Sequence, residues 1–386
     1  MLTPIWGYCW GQSFGMSNSA TSWIPSKAMK ESLSQQLKEH GLTALSMAVI
    51  DQGATTWRHS ENLEPAPHQD KPLFEAGSLS KPLAAIAALQ LKEQGILNLD
   101  RPLMEYFPLK DLQDIQQAHA ITARHVLSHS SGLQNWRFSN GDKLTLRFQP
   151  GAGFGYSGEG YVWLQRVMEK LTGKGYARYV RDHIFDPLEM HDSTFSYNKS
   201  LYNRMLPGYK NDGSQGDAYG ARLGAAMQEI ADRESSDLSD WNFTKVTEVY
   251  PSIESNLPPL PVFLYPNAAG SLVTTVSDYA KFLRAMIDDD GGSLSVSTSL
   301  QRSLLTATAQ VGPIINWGLG WGLETTTGNT IAFHTCETRY FKGVALMDTQ
   351  HKKALVVLTN GANGDKVYDP LVRGSTGLKL TALNQF

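Results

Sequence analysis

The stretch FEAGSLSKPLAAIAALQLKEQG, residues 74–95, places a hydroxyl and an amine at the head of the strongest helical pattern in the chain. Leu83, Ile86, Ala87 and Leu89 recur at helical spacing, and Gly95 supplies a stop, so a helix is predicted over residues 76–94. Pro82 falls in the first turns, where its missing N–H costs least. Ser78 and Lys81 are three apart and share one helical face, so the Lys81 ammonium can approach the Ser78 hydroxyl. Helix N-terminal N–H groups favour an alkoxide or a developing oxyanion. An alcohol is a weak nucleophile until a base takes its proton, and this pairing meets that need. S-x-x-K alone is weak: Ser196 and Lys199 repeat it, and Ser78 also reads as a plain N-cap.

Outward from this stretch the chain reads as α+β. Residues 25–40 form an amphipathic helix through Met29, Leu33 and Leu37, ended by Gly41. LSMAVIDQGATTWRHS (45–60) is a hairpin about Asp51-Gln52-Gly53, and GVALMDTQHKKALVVLTN (343–360) is a second pair of extended runs. With TIAFHT (330–335) these give an antiparallel sheet of about five strands, built from both ends of the chain around a mainly helical region at about 75–290. Further helices are predicted over 160–171 and 276–287. Residues 213–261 are polar, lack clear periodicity and end in NLPPLP, the pattern of an insertion or lid. The expected organisation is an aromatic-rich N-terminal extension (1–24) followed by one catalytic domain (25–386).

Bulk properties narrow the function. A net charge of −3 provides no basic field for nucleic acid, and no run is long and apolar enough to span a bilayer. The only cysteines, Cys9 and Cys336, form neither a disulfide framework nor a zinc pattern. No Lys or Arg precedes Lys27, so the start is a poor secretory signal and a cytoplasmic location is expected over a periplasmic one.

Four further segments follow Ser78-x-x-Lys81 in order: ITARHVLSHSSGL (121–133), GYSGEGYVWLQRVMEKLTG (155–173), AAGSLVTTVSDYAKFLRAMI (268–287), and the pair WGLGWGLE and FHTCETRYFKG (317–343). Their order resembles the β-lactamase and penicillin-binding-protein superfamily of serine hydrolases, in its class C β-lactamase and esterase branch, over about residues 45–360. The resemblance implies a β-lactamase/transpeptidase-like fold, with Ser78 as nucleophile and Lys81 as the lysine that polarises it. It makes Tyr156 the tyrosine of the Y-x-N motif, which shuttles the proton. That phenol can act as base only if its neighbours lower it from about 10. His334-Thr335-Cys336 falls on the third motif, K-T-G or H-T-G. The N–H groups of Ser78 and Glu337 would then hold the oxyanion, and His334 joins the catalytic set. Gly158, Thr335, Cys336 and Arg339 are the implied substrate contacts; no metal or organic cofactor is implied.

Two departures tilt the substrate. Gly158 stands where the motif's asparagine would bind an acylamino group, and His334 replaces the lysine that helps bind a carboxylate. Both favour a carboxylic ester over a β-lactam or D-amino-acid peptide, with acyl transfer to an alcohol and a catalytically weak binding or scaffold role as alternatives. The partner is in each hydrolytic case a small molecule. Residues 155–159 resemble a G-x-S-x-G elbow but carry Glu159 in place of glycine. His125 and His129 are four apart without the H-E-x-x-H pattern of a zinc site. Cys336 reads first as a thiol nucleophile beside His334. The motif order moves attack to Ser78 and predicts that the thiol projects into the cleft and narrows it, as His334 and Cys336 share a strand face.

Overall fold

The computed structural model describes residues 22–65, 71–139, 141–288, 292–326 and 328–385. Most of the 1–24 extension, with Cys9, lies outside the described residues. An antiparallel sheet of eight strands runs through the molecule in the order β2-β1-β10-β9-β8-β7-β6-β5. These are β1 (Ala44–Asp51), β2 (Ala54–Asn62), β5 (Ala309–Gln310), β6 (Ile315–Trp317), β7 (Gly322–Thr326), β8 (Asn329–Glu337), β9 (Lys342–Asp348) and β10 (Lys353–Thr359). The N-terminal hairpin enters the sheet by pairing β1 with β10, Leu45 opposite Thr359 through Asp51 opposite Lys353. The two ends of the chain thus share one sheet, as the α+β reading requires. The sheet is larger than the predicted five strands: β5 to β7 extend it beyond β8, and runs of two to five residues with glycines leave little alternation to detect.

Alternation along the central strands separates two apolar layers. Ala48 and Ile50 of β1 and Ala354, Val356 and Leu358 of β10 face the helical region. Leu45, Met47, Val49, Leu355 and Val357 face Leu33 and Leu37 of the Lys27–Glu39 helix and Val367 and Leu371 of the Asp365–Thr376 helix. A strand covered on both faces is apolar at most positions, and this is why β1 and β10 read as near-continuous runs.

The Ser80–Glu93 helix is buried at every position from Ser80 to Leu91, so it is the central helix of the molecule. It begins later than predicted. Phe74–Gly77 is instead a short strand, β3, paired with β4 (Leu272–Thr274), and Ser78 sits in the turn between strand and helix. Residues 213–261 also depart from the irregular reading, with helices at Tyr219–Arg233 and Phe243–Val249. Leu223, Met227 and Ala231 form a narrow buried stripe that the polar face outweighs in composition. No helix among the described residues is long and apolar enough to cross a membrane.

Candidate active site

Ser78 lies at the floor of a cavity of about 840 Å³, bounded by β3, β8, the loop at Asn135–Trp136 and the segment 257–271. Gly77 makes the approach possible. Its φ is +43°, and a Cβ there would stand 2.9 Å from Thr338 Cγ2 and 3.1 Å from Glu337 O. Only glycine combines that conformation with that proximity, so the turn carrying Ser78 rests directly against β8. Ser80 fixes the turn from the other side, donating to Gly77 O (2.6 Å) and accepting from Leu272 N–H (3.0 Å).

Lys81 points back beneath the turn. Its Nζ donates to Ser78 Oγ at 3.0 Å and to Ala269 O at 2.7 Å, and the residue is 1% exposed. The carbonyl is held in place by Asn267, whose Oδ1 accepts Ala269 N–H (2.8 Å) and whose Nδ2 donates to Pro261 O (2.8 Å). Burial penalises the ammonium and lowers Lys81 to about 7. A lysine at that value is half neutral at neutral pH and can accept a proton from the hydroxyl it touches.

Tyr156 covers Lys81, with Nζ 4.6 Å from the ring centroid, and its hydroxyl lies beside the Ser78 side chain. The condition for phenolate chemistry is not met: burial raises Tyr156 well above its ordinary value, more than the Ser78 contact lowers it. The ring is held by two buried histidines. His129 stacks on it at 4.1 Å between centroids and 29° between planes, while His334 meets it edge-on at 6.3 Å. Ser157 N–H donates to His129 Nδ1 (3.1 Å), and His334 Nδ1–H donates to Thr335 O (2.8 Å). Burial, then the Lys81 charge, pushes His334 down to about 3 and His129 well below its usual value, so both rings are neutral.

Ser78 and Glu337, the expected backbone donors, both line the cavity. Thr338 N–H closes the β8–β9 turn on Phe341 O (2.9 Å), and antiparallel alternation then directs Glu337 N–H away from β9, to the far edge of β8. β7 pairs with β8 only as far as Phe333, which leaves the Thr335–Glu337 edge open to the cavity. No acceptor among the described residues takes the Ser78 N–H.

Two predicted substrate contacts are not on the cavity wall. Cys336 shares its strand face with His334, but β3 covers that face: its Sγ lies 3.7 Å from Glu75 O, and a Cβ on Gly77 would meet it at 3.3 Å. The cleft opens at the edge of β8, where the Thr335 and Glu337 backbone points, and not over its face. The thiol therefore fills core and does not narrow the site. Cys336→Ala should leave turnover within about twofold of wild type and lower the unfolding free energy by ~1 kcal/mol in denaturant titration. A large loss of turnover with an unchanged denaturation midpoint would contradict this placement. Gly158 lies behind Trp136, whose ring stands 2.1 Å from where its Cβ would be. Its N–H donates to Asn135 Oδ1 at 2.8 Å, so a carboxamide does reach the cavity wall, but from another loop.

That loop is tied down by Glu159, which receives Arg137 Nε (2.9 Å) and Nη2 (2.8 Å) inside the protein. The glutamate that spoiled the G-x-S-x-G pattern is thus the anchor of the Asn135–Trp136 wall. His125 caps the Ala123–Leu127 helix, well apart from the role His129 plays beside Tyr156. Ser196 and Lys199 line a different surface pocket. Arg339 does reach the cavity, paired with Asp217 (3.1 Å). His129, Asn135, Trp136, Asp217 and Glu75 were not predicted. His129 was weighed only for its spacing to His125, and the others come together through tertiary contacts that no local pattern records. Glu75, also on the wall, is raised from its ordinary value, chiefly by burial.

A family model described as Beta-lactamase matches residues 29–377. Penicillin-binding protein 4* of Bacillus subtilis (strain 168) is 26% identical over 323 residues, covering 78% of this chain and 64% of the relative. Lovastatin esterase of Penicillium rubens is 32% identical over 167 residues, 34% of this chain and 42% of the esterase. The chain spans less than two thirds of the length of these curated relatives. A solved class C beta-lactamase mutant superposes with a TM-score of 0.67 at 17% identity, over 91% of this chain and 97% of its own, which establishes the shared fold.

Proposed function

Since the chain belongs to the Beta-lactamase family of serine hydrolases, we propose that it is a carboxylesterase working through an acyl-Ser78 intermediate. The observation that carries this reading is the buried Lys81 amine at about 7, 3.0 Å from Ser78 Oγ. Neutral Lys81 takes the Ser78 proton as Oγ bonds to the ester carbonyl carbon. The N–H groups of Ser78 and Glu337 hold the resulting oxyanion, at roughly 3 kcal/mol per donor. Tyr156, a neutral phenol, then gives its proton to the departing alkoxide as the ester C–O bond breaks, and Lys81-H⁺ restores it. In deacylation water loses a proton along the same route and the carboxylic acid leaves. His334 and His129 act through Tyr156, as positioning residues that hold its ring on Lys81. The esterases among the relatives support the ester assignment, as do the missing Y-x-N asparagine and a neutral histidine in place of the K-T-G lysine.

A fluorophosphonate probe should label the folded protein on Ser78, read by peptide mass spectrometry. An unlabelled Ser78 would favour a binding or scaffold role. In a panel of p-nitrophenyl esters with nitrocefin, the esters should turn over faster; the reverse order would reassign the protein to lactam hydrolysis.

A further inference from the structure

The cavity around Ser78 combines an apolar wall with an unusual charge pattern. Trp136, Phe138, Leu257, Val262, Phe263 and Tyr265 supply large apolar surface, and Phe138 is 62% exposed at its lip. The charged side chains on the wall are Glu75, Asp217, Glu337, Lys81 and Arg339. Lys81 is sequestered beneath the Ser78 turn, as described above. Among the described residues, Arg339 is then the one cation on this wall able to meet a substrate carboxylate, and its Nη1 is 3.1 Å from Asp217 Oδ2. His334 does not compensate: it is buried, neutral and absent from the wall. Of the wall carboxylates, Asp217 is paired with Arg339 (3.1 Å) and Glu337 with Lys342 (3.9 Å), so an incoming carboxylate finds no accessible unpaired cation on the described wall. Like charges facing each other across a cleft repel, while an alkyl or aryl group loses nothing.

Resting on the esterase reading, we infer that this site takes uncharged, apolar esters, and that Asp217 sets the selectivity by occupying Arg339. Asp217 lies at the start of the inserted segment 213–261, so the insertion carries a specificity-determining residue into a site whose nucleophile comes from elsewhere in the chain. The pair is solvent-exposed at 71% and 57%, so its effect is a moderate bias that added salt weakens.

The test uses two p-nitrophenyl esters of matched length, the pentanoate and the mono-glutarate, which differ by a terminal methyl against a carboxylate. Wild type should prefer the pentanoate at least tenfold in kcat/KM. Asp217→Asn frees Arg339 and should raise the glutarate rate relative to the pentanoate three- to fivefold, an increase that shrinks in high salt. The double variant Asp217→Asn/Arg339→Ala should lose that increase, which a general loosening of the site would not. Equal wild-type rates on the two esters, or an unchanged ratio in Asp217→Asn, would overturn the inference and leave the esterase reading standing. Absence of turnover of either ester together with no label on Ser78 would overturn both.

Discussion

Ser78→Ala should lower kcat on any ester the protein hydrolyses by about 10⁴-fold or more, the scale seen when a nucleophile is removed from an acyl-enzyme mechanism. Stability should hardly change. Ser78 is half-buried in a turn whose anchors are Ser80 and Gly77, and Lys81 keeps its bond to Ala269 O when Oγ is gone. Lys81→Met should separate activity from stability further. Methionine preserves most of the buried volume but offers no base, so kcat should fall by about 10³-fold. The fold loses an amine whose burial is unfavourable and which no carboxylate among the described residues pairs, so the denaturant midpoint should hold or rise. Steady-state kinetics and urea titration on the two variants read both quantities. Residual activity above one per cent in Ser78→Ala would show that attack comes from another group, and the nucleophile assignment would fall.

The fold was legible where a signal is local or repeats in order. The Val276–Ile287 helix and the Gly158–Thr172 helix show their apolar stripes openly, and Ser157 caps the latter by accepting from Gly160 N–H. The two hairpins of the central sheet were visible because β1, β9 and β10 are long, mostly apolar runs and a short polar turn separates each pair. Short edge strands were not visible, because two or three residues between glycines carry no period. The same limit explains the misread start of the central helix: residues 76 and 77 fit a helical window, and only pairing with Leu272–Thr274, nearly two hundred positions away, makes them part of a strand.

At the site, motif order located Ser78, Lys81 and Tyr156, and the structure brings these three together. What motif order could not supply was direction. Cys336 was placed on the correct strand and the correct face, yet β3 closes that face and the cleft opens at the strand's edge. Arg339 was placed near the cleft, but its partner Asp217 is more than a hundred residues away in sequence. Side-chain alternation predicts faces; which face or edge is left open depends on elements that pack there from afar.

The pH profile discriminates between the two groups able to take the Ser78 proton. Lys81 carries charge below its pKa and is a base above it, so with a value of about 7 its basic form is lost as pH falls through neutrality. The groups that face Lys81 do not titrate in that range. Burial drives His334 down to about 3 and His129 well below its ordinary value, and raises Tyr156, Tyr161 and the Cys336 thiol well above theirs. Hence kcat/KM should climb with pH along a single limb centred near 7 and level off above about 8. Tyr156→Phe tests the division of labour. Phenylalanine keeps the ring against Lys81 and His129 but removes the phenolic proton, so the leaving alkoxide has no donor and kcat should fall by roughly 10²- to 10³-fold. The limb near 7 should survive in that variant, because the base is still Lys81. Were Tyr156 the base, the limb would vanish with its hydroxyl. A substrate with a leaving group that needs no proton, such as p-nitrophenolate, should suffer less from Tyr156→Phe than an alkyl ester of the same acid. Nothing in a merely structural role for the tyrosine would separate those two substrates.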